Sequence, residues 1–254
     1  MIDIHSHILF GVDDGPENIE GSLMMLKDAV KSGYTDIVCT SHYYPGVYVN
    51  KNYDENFKLL EDRIKKEKMS IRIYKGNEII GNCEIFSHLE RINTINHTRY
   101  ILIELDPGTQ FKSCKKVMEK FIELGYKPVL AHVERYIDFS LNEFRMLYNM
   151  GVIFQVNIRE IVHIDSKIKY MIDNMYVKII ASDSHRVDKR NYNLNSFIGG
   201  WRKNISYENF KALTFINPQK IINGEVITSC YWKKVGHLYS IFEKIKDKML
   251  KLRD

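Results

Sequence analysis

Cysteine and proline are scarce in this 254-residue sequence, which holds four of the first and five of the second. Cys39, Cys83, Cys114 and Cys230 lie far apart and form no C-x-x-C pair, so they are expected as reduced thiols rather than as a disulfide framework. A cysteine phosphatase loop, C-x5-R, needs an arginine six residues after the nucleophile. The residues at those places are Pro45, Leu89, Lys120 and Gly236, which excludes that chemistry. No apolar run approaches the roughly 20 residues that span a bilayer. The opening MIDIHSHILF has no basic region and no small-residue cleavage site, so no signal peptide and a cytoplasmic location are expected. The net charge of +5 favours an anionic substrate but is too small to mark a nucleic-acid binder. Internal repeats, low-complexity stretches and Pro/Gly/Ser-rich linkers are also missing.

What is present is an ordinary globular composition, 44% hydrophobic and 27% charged. A chain of this length forms one domain that needs neither disulfide nor metal merely to fold. Short β-rich runs alternate with helical patterns. Strands are expected at Ile2–Ile4, Asp36–Thr40, Ile71–Tyr74, Tyr100–Leu105, Pro128–Ala131, Val152–Val156 and Val177–Ala181. Their near-continuous apolar character suits parallel strands buried on both faces. Ile19, Leu23, Leu26 and Val30 fall on one helical face before Gly33. Val117, Phe121 and Leu124 repeat the pattern before Gly125, as do Leu141, Phe144 and Leu147 before Gly151. This alternation reads as an α/β barrel or a doubly wound sheet. From about Ser206 only helix is expected, with Asn217-Pro218 as an N-cap and a first-turn proline. From about residue 224 a helical extension places Leu238, Phe242, Ile245, Met249 and Leu252 on one face, with basic residues in excess. Packing on the barrel or on a partner subunit accounts for it better than lying on a membrane surface.

The ionisable residues fall in a pattern on these elements. His5 and His7 close the first strand, His42 follows the second and Glu78 the third. Glu104 ends the fourth, His132 the fifth, and Asp183 and His185 the seventh. In α/β barrels the C-terminal ends of the strands form the face where active sites are built. Any one of these residues alone has a plain explanation, as a hydrogen-bonded structural histidine or an acidic helix cap. Together they would be repulsive and costly to desolvate unless divalent cations sat among them. Imidazole and carboxylate without thiolate suit Mn, Fe or Zn better than Ca or Mg. His5-x-His7 and Asp183-x-His185 each put two ligand groups on one side of a strand, because strand side chains alternate with period two.

Met1–His7 with Asp13-Asp14-Gly15-Pro16 resembles the opening motif of the PHP (polymerase and histidinol phosphatase) superfamily. Thr40-Ser41-His42, Gly76-Asn77-Glu78-Ile79, Leu102-Ile103-Glu104, His132-Val133-Glu134-Arg135-Tyr136 and Ser182-Asp183-Ser184-His185 narrow the match. Together they are similar to the bacterial manganese-dependent protein-tyrosine phosphatases encoded with capsule and exopolysaccharide genes. The resemblance runs from Met1 to about Ile222. It implies a distorted (β/α)7, TIM-like barrel with three metal ions at the C-terminal ends of the strands. One ion would be held by His5, His7, Glu78 and Asp183, a second by Glu78, Glu104 and His132, and a third by Asp14, His42 and His185. Mn2+ is the implied metal, with Fe, Zn or Mg as substitutes. Arg135 and Arg190 fall at or near positions that the family uses on the phosphate.

The expected activity is metal-dependent hydrolysis of phosphotyrosine. The resemblance further implies the tyrosine-rich tail of a membrane-associated bacterial tyrosine kinase as substrate, in control of capsule or exopolysaccharide synthesis. Two other readings stay open: a small-molecule phosphatase of the histidinol-phosphate type, and a non-catalytic regulator that binds the kinase tail. His88, His97, His163 and His237 are expected at the surface, and Cys39 in the core. Tyr43, Tyr44 and Tyr48 either flank an aromatic substrate or pack within their loop.

Overall fold

The structure, a computed structural model, describes residues 1–192 and 204–227. Seven parallel strands pair in sequence order: β1 (Ile2–Ser6), β2 (Asp36–Tyr43), β3 (Arg72–Ile80), β4 (Tyr100–Glu104), β5 (Lys127–Leu130), β6 (Ile153–Asn157) and β7 (Val177–Ala181). Just past the ends of β1 and β7 the sheet meets itself. Ser6 bridges Ser184, the His7 N–H donates to the Ser184 carbonyl at 2.8 Å, and the Asp183 N–H donates to the His5 carbonyl at 2.9 Å. The result is a nearly closed TIM-like barrel. Outside it run α1 (Ile19–Lys31), α2 (Tyr53–Lys66), α3 (Phe111–Glu123), α4 (Leu141–Asn149) and α5 (Ser166–Asp173). Three short 3-10 turns between Glu84 and His97 stand where a regular barrel would place the helix between β3 and β4. The expected C-terminal helical extension, together with Trp201, Cys230 and His237, lies outside the described residues.

Local signals explain the helices. The Asn18 side chain accepts from the Gly21 N–H at 3.1 Å to start α1, and Ser140 and Glu143 form a reciprocal capping box at α4. Leu23, Leu26, Phe121, Phe144 and Leu147 are buried as their spacing requires, but Leu124 is 45% exposed, because α3 ends one residue before it. After β7 come α6 (Tyr207–Lys211), a π-helical turn (Ala212–Ile216) and α7 (Asn217–Ile222). The N-cap expected at Asn217 does not form. The helix runs straight through it, and the buried Asn217 amide instead donates to the Lys178 carbonyl at 2.9 Å, tying α7 to β7.

The barrel interior has two tiers. Ile2 and Ile4, Val38, Leu102, Val129 and Ala131, and Ile179 and Ala181 form an apolar lower layer sealed by Ile221 and Ile222 of α7. Further along the same faces the side chains become polar: Thr40 and His42, Glu78, Glu104, Gln155 and Asn157. Because His42 and Glu78 pair with each other in register, β2 and β3 run on beyond the apolar stretches expected from sequence. Thus His42 and Glu78 lie within strands rather than after them.

Two strands must change phase to join the polar tier. In β1 the pairing register shifts between Asp3 and Ser6; Ile2 and Ile4 face the lower core, yet His5 and His7, of opposite parity, reach the upper layer. After β5, His132 follows Ala131 out of phase and takes a left-handed φ of 32° that turns it inward. Asp183 is left-handed too, at φ 51°. Such non-glycine backbone costs about 1–3 kcal/mol per residue and persists only where surrounding contacts enforce it.

One enforcing contact is Asp3. Its buried carboxylate accepts from the Ser182 N–H at 3.0 Å, the Ser182 hydroxyl at 2.5 Å, the Tyr192 hydroxyl at 2.6 Å and the His5 N–H at 3.2 Å. It thereby locks the first strand to the last. Each buried donor left unpaired costs about 1–3 kcal/mol, so Asp3→Ala should lower stability by about 3 kcal/mol or more. Asp3→Asn, which keeps one acceptor oxygen, should lose less. Equilibrium denaturation checks this; a loss below about 1 kcal/mol for Asp3→Ala would show that Asp3 does not hold the closure.

Candidate metal centre

Glu78 sits 1% exposed at the middle of the polar tier. Its Oε1 lies 3.2 Å from His5 Nε2 and 3.0 Å from His132 Nε2; its Oε2 lies 3.2 Å from both His7 Nε2 and His42 Nδ1. Glu104 flanks it, 3.4 Å from His42 Nδ1 and 3.3 Å from His132 Nε2. On the other side Asp183 Oδ1 is 3.4 Å from His5 Nε2 and 3.5 Å from His185 Nδ1. Asp14 Oδ1 closes the cluster at 3.6 Å from His42 Nε2 and 3.5 Å from His185 Nε2. Every candidate ligand read from the sequence is therefore brought into one cluster. Its donor atoms form four overlapping groups, each within 4.8 Å: His7/Asp14/His42/His185, His5/Glu78/His132, His5/His7/Asp183 and His42/Glu78/Glu104.

The protonation pattern suits cation binding. His7 Nδ1 is 2.8 Å from Asp13 Oδ2, His5 Nδ1 is 3.0 Å from Gln155 Oε1, and His185 Nδ1 is 3.0 Å from the Asp183 carbonyl. Each of these acceptors draws the proton to Nδ1 and leaves the Nε2 lone pair facing the cluster, as metal-ligating histidines require. The two inward nitrogens of His5 and His7 stand only 3.4 Å apart. Buried His132 Nδ1 has no hydrogen-bond partner, and His42 Nδ1, though close to Glu78 and Glu104, makes no bond of hydrogen-bonding geometry. A set of imidazole and carboxylate donors crowded this way, with no thiolate, fits a divalent transition metal.

The acid–base balance shows the strain of packing these groups together. Burial opposes ionisation of Glu78, but His5 and the hydrogen-bonding imidazoles around it hold its carboxyl well below the usual range. Burial likewise opposes charge on His132, yet hydrogen bonds to Glu104 and Glu78 raise it to about 9. Burial pushes Glu134, next to Arg135, up to about 7.

Both arginines meet at Asp183. Its Oδ2 accepts from Arg135 at 2.5 Å, Arg190 at 2.8 Å and the Asn157 amide at 3.0 Å, while Oδ1 faces the imidazoles. Arg190, whose surrounding sequence is less distinctive, is thus placed beside Arg135. Both side chains stay partly exposed, at 44% and 33%. Among the remaining residues, Tyr43 is buried with its hydroxyl 3.3 Å from His88, whereas Tyr44 and Tyr48 pack on His42 with ring centroids 4.7 and 5.7 Å away. His97 and His163 are exposed, and Cys39 is a buried thiol.

Sequence reasoning missed the residues that orient the ligands. Asp13 Oδ2 holds His7 and also accepts from the His42 N–H at 2.9 Å, while its Oδ1 accepts from the Gly15 N–H at 2.9 Å. Gly15 is required there, because a Cβ would lie 2.1 Å from the His7 carbonyl oxygen. On β6, Gln155 Oε1 also accepts from the His132 N–H at 2.8 Å, and its amide donates to Asn157 at 2.9 Å. The signal was available: Gln155 and Asn157 are polar residues two apart in a buried apolar strand, the same pattern as His5-x-His7.

A family model described as CpsB/CapC, capsular polysaccharide synthesis, matches residues 1–223. The tyrosine-protein phosphatase CpsB of Streptococcus pneumoniae is 32% identical over 243 residues, covering 89% of this chain and all of that protein. The tyrosine-protein phosphatase YwqE of Bacillus subtilis is 31% identical over 76% of this chain and 80% of its own length. A solved structure from work on YwqE and CpsB, described as unique metal-dependent tyrosine phosphatases, superposes with a TM-score of 0.78 at 26% identity, covering 93% of this chain and all of that one. A β-aspartyl dipeptidase from Fervidobacterium islandicum shares only the fold, with a TM-score of 0.53 at 13% identity.

The orienting shell generates a test. Gln155→Leu keeps the side-chain size but removes the acceptor for His5 Nδ1 and the His132 N–H. Loss of such a partner typically weakens metal binding about 10–100-fold. Chelator competition on the folded variant should show that loss; manganese affinity within about threefold of wild type would mean that Gln155 does not set the ligand geometry.

Proposed function

Since the chain belongs to the CpsB/CapC capsular polysaccharide synthesis family, we propose that it is a metal-dependent protein-tyrosine phosphatase. The observation that carries this reading is the buried imidazole–carboxylate cluster with its Nδ1 protons drawn outward. In it His5, His7, Glu78 and Asp183 would hold one ion, Glu78, Glu104 and His132 a second, and Asp14, His42 and His185 a third, with Mn2+ the favoured metal. The four contacts of Glu78 support its role as a shared ligand. Bound divalent ions supply a hydroxide-like nucleophile at neutral pH and offset phosphoryl charge.

The protein's own groups do the rest. Asp183 Oδ2 holds Arg135 and Arg190 side by side, so their remaining N–H donors are preorganised for an anionic phosphoryl group. Asn157, bonded to the same oxygen, keeps Oδ1 toward the histidines. A phenol leaves with a pKa near 10, so hydrolysis of a tyrosine ester needs a strong general acid less than hydrolysis of an alkyl ester does. The buried thiols are poor nucleophiles: burial pushes Cys39 far up and Cys114 to about 12. The substrate follows from the same reading: the phosphorylated tyrosine-rich tail of a membrane-associated bacterial tyrosine kinase that controls polysaccharide export, met on the cytoplasmic side. Among the described residues no helix is long and apolar enough to cross a membrane.

Chelation should abolish hydrolysis of a phosphotyrosyl peptide and Mn2+ should restore it, while iodoacetamide leaves it largely intact. Histidinol phosphate under the same conditions should be the poorer substrate; the reverse preference would move the protein to the small-molecule branch. Thiol-sensitive, chelator-resistant turnover would refute the metal reading altogether. Arg135→Ala should keep its metals and fold yet lose about 10²–10³ in kcat. Arg135→Lys should recover only part, since a point charge cannot reproduce a forked contact. Turnover of Arg135→Ala within about threefold of wild type would remove the arginine from the site.

A further inference from the structure

Beside the metal cluster lies a cavity of about 140 Å³. Glu104, His132 and Arg135 are among its lining residues, so whatever fills it abuts the groups that would act on a phosphate. Its remaining walls are mainly apolar: Leu105, Pro107, Tyr136, Ile137 and Phe139, with Gly108 and Thr109 on the loop between β4 and α3 and Asp138 as a further charged residue. An apolar protein cavity of about 150 Å³ is known to take up benzene. The volume therefore matches one six-membered aromatic ring.

The walls are fixed in place. The Leu105 N–H donates to the Tyr136 hydroxyl at 3.1 Å, which pins the tyrosine ring. Tyr136 stacks on Phe139 with centroids 5.6 Å apart, and Phe139 meets Phe111 edge-on at 5.6 Å. Lys167 donates to the carbonyls of Tyr136, Ile137 and Phe139 at 3.3, 2.9 and 3.1 Å, clamping the segment from behind. A preformed wall of this kind binds a ring without first having to be ordered.

We propose that this cavity is the aryl subsite: it receives the phenyl ring of the phosphotyrosine while the phosphoryl group meets Arg135 and the metal cluster, and it gives the enzyme its preference for aryl over alkyl phosphate esters. The inference rests on the phosphatase reading and deepens it. The competing location is the other flank of the cluster, where Tyr48 already stacks on His42 and Tyr44 packs tilted against both rings, its centroid 6.0 Å from that of Tyr48. Those rings cover an imidazole face of His42.

The test compares kcat/KM for phenyl phosphate with that for ethyl phosphate in the manganese-loaded enzyme. Thr109→Trp places a ring of the protein's own in the cavity, and its turn survives because the Thr109 N–H, not only the hydroxyl, bonds the Asp106 carbonyl, at 3.0 Å. Ile137→Trp, at a position 76% exposed, narrows the mouth with little risk to folding. Burial of a ring is worth about tenfold or more in binding, so the aryl-to-alkyl ratio should fall at least about tenfold in the folded variants, whereas Tyr48→Leu should leave it within about threefold. In parallel, the 19F resonance of 4-fluorophenol should broaden with wild-type protein and sharpen with Thr109→Trp. An unchanged ratio in both tryptophan variants, or a loss that follows Tyr48→Leu instead, overturns the subsite. Absence of turnover of either ester by wild type would reject the phosphatase reading itself, and the fluorine signal would still decide whether the cavity binds an aromatic ring.

Discussion

A carboxylate almost wholly buried, ringed by four imidazoles, governs this molecule. Glu78 touches His5, His7, His42 and His132 at 3.0–3.2 Å, and Glu104, Asp14 and Asp183 crowd the same space. Protons alone balance such a set poorly: imidazoles charged enough to neutralise the acids would repel one another, and neutral ones would leave carboxylates buried without counter-charge. The fold nevertheless directs outward the protons of His5, His7 and His185, toward Gln155, Asp13 and the Asp183 backbone. In the neutral imidazoles that arrangement leaves the inward lone pairs free to meet cations.

The barrel explains how so polar a tier can be held together. Its lower half is an apolar plug that provides stability, and the upper half spends some of that stability on awkward geometry. A register shift in β1 and left-handed backbone at His132 and Asp183 turn side chains inward that simple alternation would turn away. Asp3, Gln155 and Asn157 stitch β1, β5, β6 and β7 around that geometry. Asp183 is the point where both functions meet, one oxygen facing the histidines and the other anchoring two arginines.

Most of the architecture could be read from the sequence, because apolar parallel strands and helices stopped by glycine are encoded locally. All seven strands lie where the apolar runs end or begin, and the extra length of β2 and β3 escaped notice because Ser41, His42, Lys75 and Asn77 interrupt those runs. The ligand candidates were visible as strand-end histidines and acids. Their supporting shell was legible only in part: Gln155-x-Asn157 stands out in an apolar strand, but the roles of Asp13, Gln155 and Asn157 follow only from what they touch across the barrel. Asn217-Pro218 misled for a related reason: a cap-like dipeptide was overruled by a tertiary hydrogen bond to Lys178. Arg190, 55 residues from Arg135 along the chain, is paired with it by the family resemblance, and the shared Asp183 oxygen supplies the physical link.

The central claim is that this cluster exists to hold transition-metal ions against a phosphoryl group. Anomalous diffraction at the manganese edge, from crystals of manganese-loaded protein, tests it most directly. The account predicts strong peaks inside the barrel mouth, with Glu78 a ligand to more than one of them and His5, His132, Asp183 and His185 among the others. Peaks confined to the surface, or a barrel mouth without anomalous scattering at saturating manganese, would contradict it.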